Sequence, residues 1–238
     1  MSKRAVILAG GKGQRLRPYT IVLPKPLMPI GDYPILEVVV RQLVSQGFDH
    51  ITMALNHQAN IIKAFFGDGS PWNIKIDYSL ETKPLNTMGP LHLISDLPDN
   101  FLIMNGDILT DINYGELYDY HVRTNKIFTI SSYARESVID YGVLETKIEE
   151  GILSGFREKP RYYFEVSMGV YIANRKVLDY IPQGQPFGFD HLMLKLLEEK
   201  QPVNVHKYEG TWLDIGRPDD YEQAIDLFAE QQERFLHD

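Results

Sequence analysis

The chain has no cysteine, which rules out disulfides, thiolate metal sites and cysteine nucleophiles together. It also lacks a long apolar run. The stretch after the basic start MSKR is only about six residues before Gly10 and Gly11 intervene, too short for a signal peptide or a membrane span. A cytoplasmic protein without membrane attachment is therefore expected. Positive charge is scarce as well: 24 Lys and Arg against 32 Asp and Glu give a formal charge of -8, which argues against binding nucleic acid through a basic surface. Any anion has to be caught by a local group of cations.

What is present suits a globular domain. At 238 residues the chain can bury roughly 70% of the surface its unfolded form exposes, and 44% hydrophobic content supplies a core. An apolar run over Arg4–Ala9 ends at glycines, the mark of a buried parallel strand that feeds a loop at its carboxyl end. Ile51–Leu55, Phe101–Met104 and Ile127–Tyr133 read as further strands, and the alternating Ile74–Tyr78 as a more exposed one. Helical spacing over Ile35–Ser45, with Pro34 at its start and Gly47 after it, predicts a helix, as does Gln58–Phe66 before Gly67.

This alternation predicts an α/β fold with a doubly wound, mostly parallel, Rossmann-like sheet and ligands at the carboxyl ends of its strands. From Tyr141 onward, YGVLET, GILSGFREKP and FEVSMGVYIA read as shorter strands of an antiparallel insertion. Helical patterns return at Phe189–Lys200 and Pro218–Phe235. We expect one domain over 1–238, with about 1–135 as one half and 136–238 as the other. An oligomer is left open.

The cations gather in one place. LAGGKGQRLRPYTIVLPKPLMPIG, Leu8 to Gly31, carries Lys12, Arg15, Arg17 and Lys25 among glycines and prolines. A dinucleotide fingerprint would need glycine where Leu16 stands, and a P-loop would need Ser or Thr where Gly13 stands, so both fail. Taken alone the stretch is compatible with a plain surface turn. Glycine amides flanked by Arg15 and Lys25 nevertheless suit a polyphosphate, which needs many donors and charge neutralisation.

Asp107 after FLIM and Asp214 in WLDIG each read as ordinary turn aspartates when taken singly. Glu158 and Lys159 alone read as a surface pair, Tyr141 as a packing residue and Trp212 as core. The seven histidines show neither HExxH nor nucleophile-triad spacing, and His57 and His191 read as helix-start or packing residues.

The opening stretch closely resembles the signature of sugar-1-phosphate nucleotidylyltransferases, and NGD (Asn105–Asp107), YGVLE from Tyr141, FREKP ending at Pro160, MGVYI from Met168 and WLDIGRPDDY from Trp212 follow in that family's order. The resemblance covers essentially the whole chain. It implies an enzyme that joins an NTP to a sugar 1-phosphate, yielding an NDP-sugar and pyrophosphate, with both small molecules as partners. It implies that Leu8, Gly10, Gly11, Gly13, Arg15 and Lys25 meet the nucleotide, with Glu81, Asn86, Thr87 and Gly89 at the base. Tyr141, Gly142, Glu158, Lys159 and Gly169 match the sugar-phosphate site, and Asp107 and Asp214 match a magnesium-binding pair. Arg15, Lys25, Asp107 and Lys159 are the implied catalytic set.

The chain departs from the family pattern at Asn86 and Met88 in LNTMGPL, where LGTAGPL is usual, and at Ser167 before the sugar-site glycine. Asn86 and Met88 are expected to alter the floor of the base pocket. The tail resembles mannose- and heptose-type guanylyltransferases, which ranks GTP ahead of dTTP, UTP and CTP. Two other readings stay open: a noncatalytic sugar-nucleotide sensor, and a transferase acting on a nonsugar phosphate.

Overall fold

The computed structural model describes residues 2–11, 13–56, 58–147, 149 and 151–236, so Lys12 and His57 lie outside the description. In the first half β1 (Lys3–Leu8), β4 (Phe48–Leu55), β5 (Lys75–Leu80) and β6 (Asn100–Asn105) alternate with α1 (Ile35–Ser45) and α2 (Ala59–Phe66), while a two-residue ladder, β2 (Pro29–Ile30) with β3 (Tyr33–Pro34), closes the opening loop. β7 (Ile108–Thr110) and α3 (Tyr114–Thr124) then lead to β8 (Phe128–Val138), the hairpin β9 (Gly142–Lys147) and β10 (Ile152–Glu158), and the long β11 (Arg161–Asn174). The chain finishes with α4 (Phe189–Glu198), β12 (Val203–Tyr208), β13 (Trp212–Asp214) and α5 (Pro218–Phe235).

The main sheet has the order β12-β8-β11-β6-β1-β4-β5, and only β11 runs against the rest. Its central strands are apolar without alternation because both faces are covered. Ala5 and Ile7 of β1, Leu102 and Met104 of β6, and Val170 and Ile172 of β11 pack under α1, α2 and α3. Val6, Phe101, Ile103 and Tyr171 pack on the opposite face under α4. A third cluster joins α5 to α1 and the opening loop through Leu16, Met28, Ile35, Val38 and Phe228.

α1 follows its stripe of Leu36, Val39, Val40 and Leu43 and stops at Gly47, whose φ of 84° is the left-handed conformation that glycine adopts at a helix end. The stretch FEVSMGVYIA differs from the expectation. It belongs to β11, whose second part is a central strand of the main sheet between β6 and β8, and only the first part of β11 extends outward with the end of β8. Both ends of β11 read alike as strand, and only pairing distinguishes them. Among the described residues no helix is long and apolar enough to cross a membrane.

From β1 the chain winds outward through β4 to β5, then returns to add β6 on the other side of β1. The strand order thus reverses between β1 and β6, and the crevice outside their carboxyl ends is where open α/β sheets bind ligands.

Candidate functional site

A cleft of about 390 Å³ opens at that reversal, bounded by Leu8 at the end of β1 with Gly10 and Gly11 after it, Asn105 at the end of β6 with Asp107 after it, and Glu81 after β5. A Cβ on Gly11 would meet nothing within 4 Å, so this residue presents bare backbone to open space, whereas one on Gly10 would crowd Asn56 at 3.2 Å. Gly13 serves the turn itself. Its φ is 58°, a Cβ there would stand 2.9 Å from the Thr20 methyl, and its carbonyl accepts the Thr20 hydroxyl at 2.7 Å. The 3-10 turn Gln14–Leu16 that follows buries Leu16 and leaves Arg15 exposed.

Lys25 is buried at the start of its own 3-10 turn, and its Nζ donates to Asp107 Oδ2 in an ion pair. Asp214 reaches the same place from far along the chain. β13 pairs antiparallel with β7, with Asp214 opposite Ile108, and the Ile215 N–H donates to the Asp107 carbonyl at 3.1 Å. The Asp214 side chain is exposed on one side and backed by protein on the other. Its pKa is raised by desolvation and then by the charge of Asp107, against the opposing pull of Lys25 and Arg15. Asp107, Asp214, Lys25 and Arg15 therefore form one electrostatic group at the switch point.

Glu81 accepts the Leu85 N–H at 2.9 Å and keeps a raised pKa through desolvation. The segment after it is fastened to the approach to α4: Phe187 N–H donates to the Leu85 carbonyl at 3.0 Å, and Met88 and Gly89 both donate to the Phe187 carbonyl at 2.9 and 3.0 Å. A Cβ on Gly89 would stand 2.9 Å from the Gln185 carbonyl oxygen, so glycine is required by this close approach. Thr87 lines the cleft while its hydroxyl accepts the Phe189 N–H at 2.8 Å, capping α4 from another segment. Asn86 lines the cleft too, with φ at 60°, a conformation that asparagine tolerates. Met88 corrects the expectation. It is fully buried in the core under α4 and forms no part of the cleft floor.

The residues matched to a sugar site lie elsewhere. Tyr141 is 78% exposed, and Gly142 stands opposite Glu158 in the β9–β10 hairpin. A Cβ on Gly142 would stand 2.6 Å from the Phe156 ring, so the space its missing side chain leaves is used inside the hairpin. Lys159 adopts φ of 43° and pairs with Asp140 at 2.7 Å. None of these four lines the first cleft. Gly169, with φ of 74°, abuts Asn105, and a Cβ there would lie 2.7 Å from the Asn105 side-chain nitrogen.

A second cleft of about 410 Å³ adjoins Asp214, with Arg15, Arg135, Arg217, Tyr133 and Trp212 among its walls. Trp212, read from sequence as core, is half-buried there, its Nε1–H donating to the Met168 carbonyl at 2.9 Å. Asn56, Asn105, Arg135 and Arg217 were missed by the sequence reading. Asn105 and Arg217 had a usable signal, the first beside Asp107 at the end of an apolar strand and the second within WLDIGRPDDY. Among the described residues no group of three or more His, Cys, Asp or Glu is arranged to hold a metal; the carboxylates available at the switch point are the Asp107–Asp214 pair.

A doubly wound sheet with a glycine loop, two cations and two carboxylates at its switch point defines an α/β protein equipped to hold phosphates. The comparison with known families is more specific: the nucleotidyl transferase family model matches residues 4–231, and the chain belongs to that family. It is 34% identical over 93% of its length to a UTP–glucose-1-phosphate uridylyltransferase of Synechocystis, covering 62% of that protein. It is 31% identical over 94% of its length to a mannose-1-phosphate guanyltransferase of Yarrowia lipolytica, covering 64% of that protein. The chain thus spans less than two thirds of these curated relatives. The structure of HddC from Yersinia pseudotuberculosis matches with TM-score 0.74 and 26% identity, over 95% of this chain and 99% of that one. A putative glucose-1-phosphate thymidylyltransferase from Bacillus anthracis shares the fold at TM-score 0.76 and 21% identity, over 95% of each chain.

Proposed function

We propose that this chain transfers a nucleotidyl group from an NTP to a sugar 1-phosphate. An oxygen of the sugar phosphate attacks the α-phosphorus in line, a new phosphorus–oxygen bond forms, the bond to the bridging oxygen of the β-phosphate breaks, and pyrophosphate leaves. The observation that carries this reading is the convergence of Lys25, Asp107, Asp214 and Arg15 beside the open backbone of Gly11.

Residues 1–135 supply most of the nucleotide side and 136–238 the sugar side. The base lies in the first cleft near Glu81, Asn86 and Gly89, and the polyphosphate runs along Gly10, Gly11 and Gly13 toward Lys25 and Arg15. The nucleophile is a phosphate oxygen already ionised near neutral pH, so no general base is required. Alignment of the two anions can lower the barrier by about 7 to 11 kcal/mol.

Asp107 and Asp214 fit a divalent ion, since they offer only oxygen and each resists the other's charge. Magnesium held there would supply charge neutralisation as two phosphates come together. Guanosine triphosphate ranks first as donor, which a mannose-1-phosphate guanyltransferase among the relatives supports, and UTP is the competing donor, as in the name of the uridylyltransferase relative.

The test crosses the common NTPs with a panel of sugar 1-phosphates in magnesium and follows pyrophosphate release. Turnover with at least one pair is expected. Tight nucleotide binding without turnover would replace this reading with a sensor, and the absence of both would end it.

A further inference from the structure

The second cleft gathers cations that the molecule leaves without partners. Arg15 enters it from the opening loop, Arg135 from β8 and Arg217 from the residue before α5. Among the described residues the side chain of none of the three makes an ion pair or hydrogen bond. Elsewhere the pattern is the reverse: Arg4, Arg41, Arg157, Arg161, Arg175 and Arg234 each hold a carboxylate. Of the remaining arginines, Arg123 lies over the Tyr120 ring and Arg17 sits exposed on the opening loop. A chain with an excess of eight acidic groups has carboxylates to spare, yet three arginines converge unpaired on one concavity.

The carboxylates in that cleft are Asp214 and Asp220, and among the described residues neither forms an ion pair with Arg15, Arg135 or Arg217, although the charge of Arg15 is felt at Asp214. One wall is aromatic. The Tyr133 and Trp212 rings lie 5.4 Å apart, with the indole anchored by its bond to Met168, giving a fixed apolar surface for a sugar ring. Asp107 lines the first cleft and Asp214 this one, so a phosphate on the arginine side would face the donor across the carboxylate pair.

Resting on the transferase reading above, in which Arg15 serves the polyphosphate, we infer that Arg135 and Arg217 bind the phosphate of the acceptor, a phosphomonoester dianion. Guanidinium forks match such an oxygen triad with paired, charge-assisted hydrogen bonds. They are the specificity-determining cations for the acceptor, while Lys159 is held by Asp140 outside the cleft.

The experiment uses Arg135→Gln, Arg217→Gln and the double variant. Both side chains are exposed and unbonded, so thermal melting should match the parent. Each single change is expected to raise KM for the sugar 1-phosphate roughly tenfold or more while KM for the NTP stays within about twofold. Lysine at the same positions should restore only part of the loss. An unchanged acceptor KM overturns the inference. So does a rise confined to NTP KM and pyrophosphate inhibition, which would give the cleft to the leaving group. Titration of inorganic phosphate into the parent and the double variant, followed by NMR, decides the point without turnover: affinity should drop at least about tenfold, and equal affinity refutes the site. If no substrate pair reacts, the transferase reading fails while this titration still judges the cleft.

Discussion

Asp214 stands opposite Ile108 in the β7–β13 ladder, and the neighbouring Ile215 amide donates to the Asp107 carbonyl. Backbone pairing therefore sets the distance between the two site aspartates, so their charges can be altered without moving the chain that carries them.

Asp107→Asn tests this first. The amide still accepts from Lys25, and the lost attraction to that ammonium is offset by relief of repulsion with Asp214. We expect kcat to fall by about a hundredfold or more, with the thermal midpoint nearly unchanged. Parental turnover would remove Asp107 from the reacting centre.

Asp214→Asn should raise stability in a pH-dependent way. A carboxyl whose folded pKa lies above its unfolded one contributes stability at acid pH, and that contribution is lost as pH rises through the folded value. The amide removes this penalty, so its gain in melting temperature should be larger at pH 7.5 than at pH 4. An equal shift at both would contradict the electrostatic account.

Asn86 occupies the left-handed region, where glycine is at home and branched side chains are not. Asn86→Gly should fold normally and reorder the NTP preference more than the sugar preference. Asn86→Val should cost about 1 to 2 kcal/mol in urea unfolding. A valine variant as stable as the parent would show that the turn readily adopts another conformation.

His121 is buried in α3 with Nδ1 2.8 Å from the Thr129 hydroxyl, and desolvation lowers its pKa to about 4. The unfolded chain binds this proton more readily, so its contribution is present above the ordinary histidine value and fades as pH falls toward 4. The effect is on the order of 3 kcal/mol. Replacement by Gln should flatten the decline of urea stability between pH 6.5 and pH 4; an unchanged slope would assign the acid sensitivity to other groups.

What the sequence disclosed was local. The stripe of Leu36, Val39, Val40 and Leu43 with Gly47 behind it yields α1 with its observed bounds, and the run before Gly10 yields a strand that delivers a loop to the switch point. α3 escaped because its buried positions are Tyr114, Gly115, Leu117 and His121, a stripe with a single branched aliphatic side chain. The capping of α4 by Thr87, the burial of Met88 and the central position of β11 depend on partners distant in sequence. Arg135 is a lone arginine in the sequence and Arg217 stands in WLDIGRPDDY, and only folding brings the two to one cleft.

Pairing of β13 with β7 also has a temporal meaning. During synthesis the glycine loop emerges early, but Asp107 gains its companion carboxylate only after roughly half the chain more has been made. A ladder closed across so large a contour length is a non-local contact, of the kind that slows folding. The nascent chain can therefore gather its first strands before Asp214 joins Asp107 at the switch point.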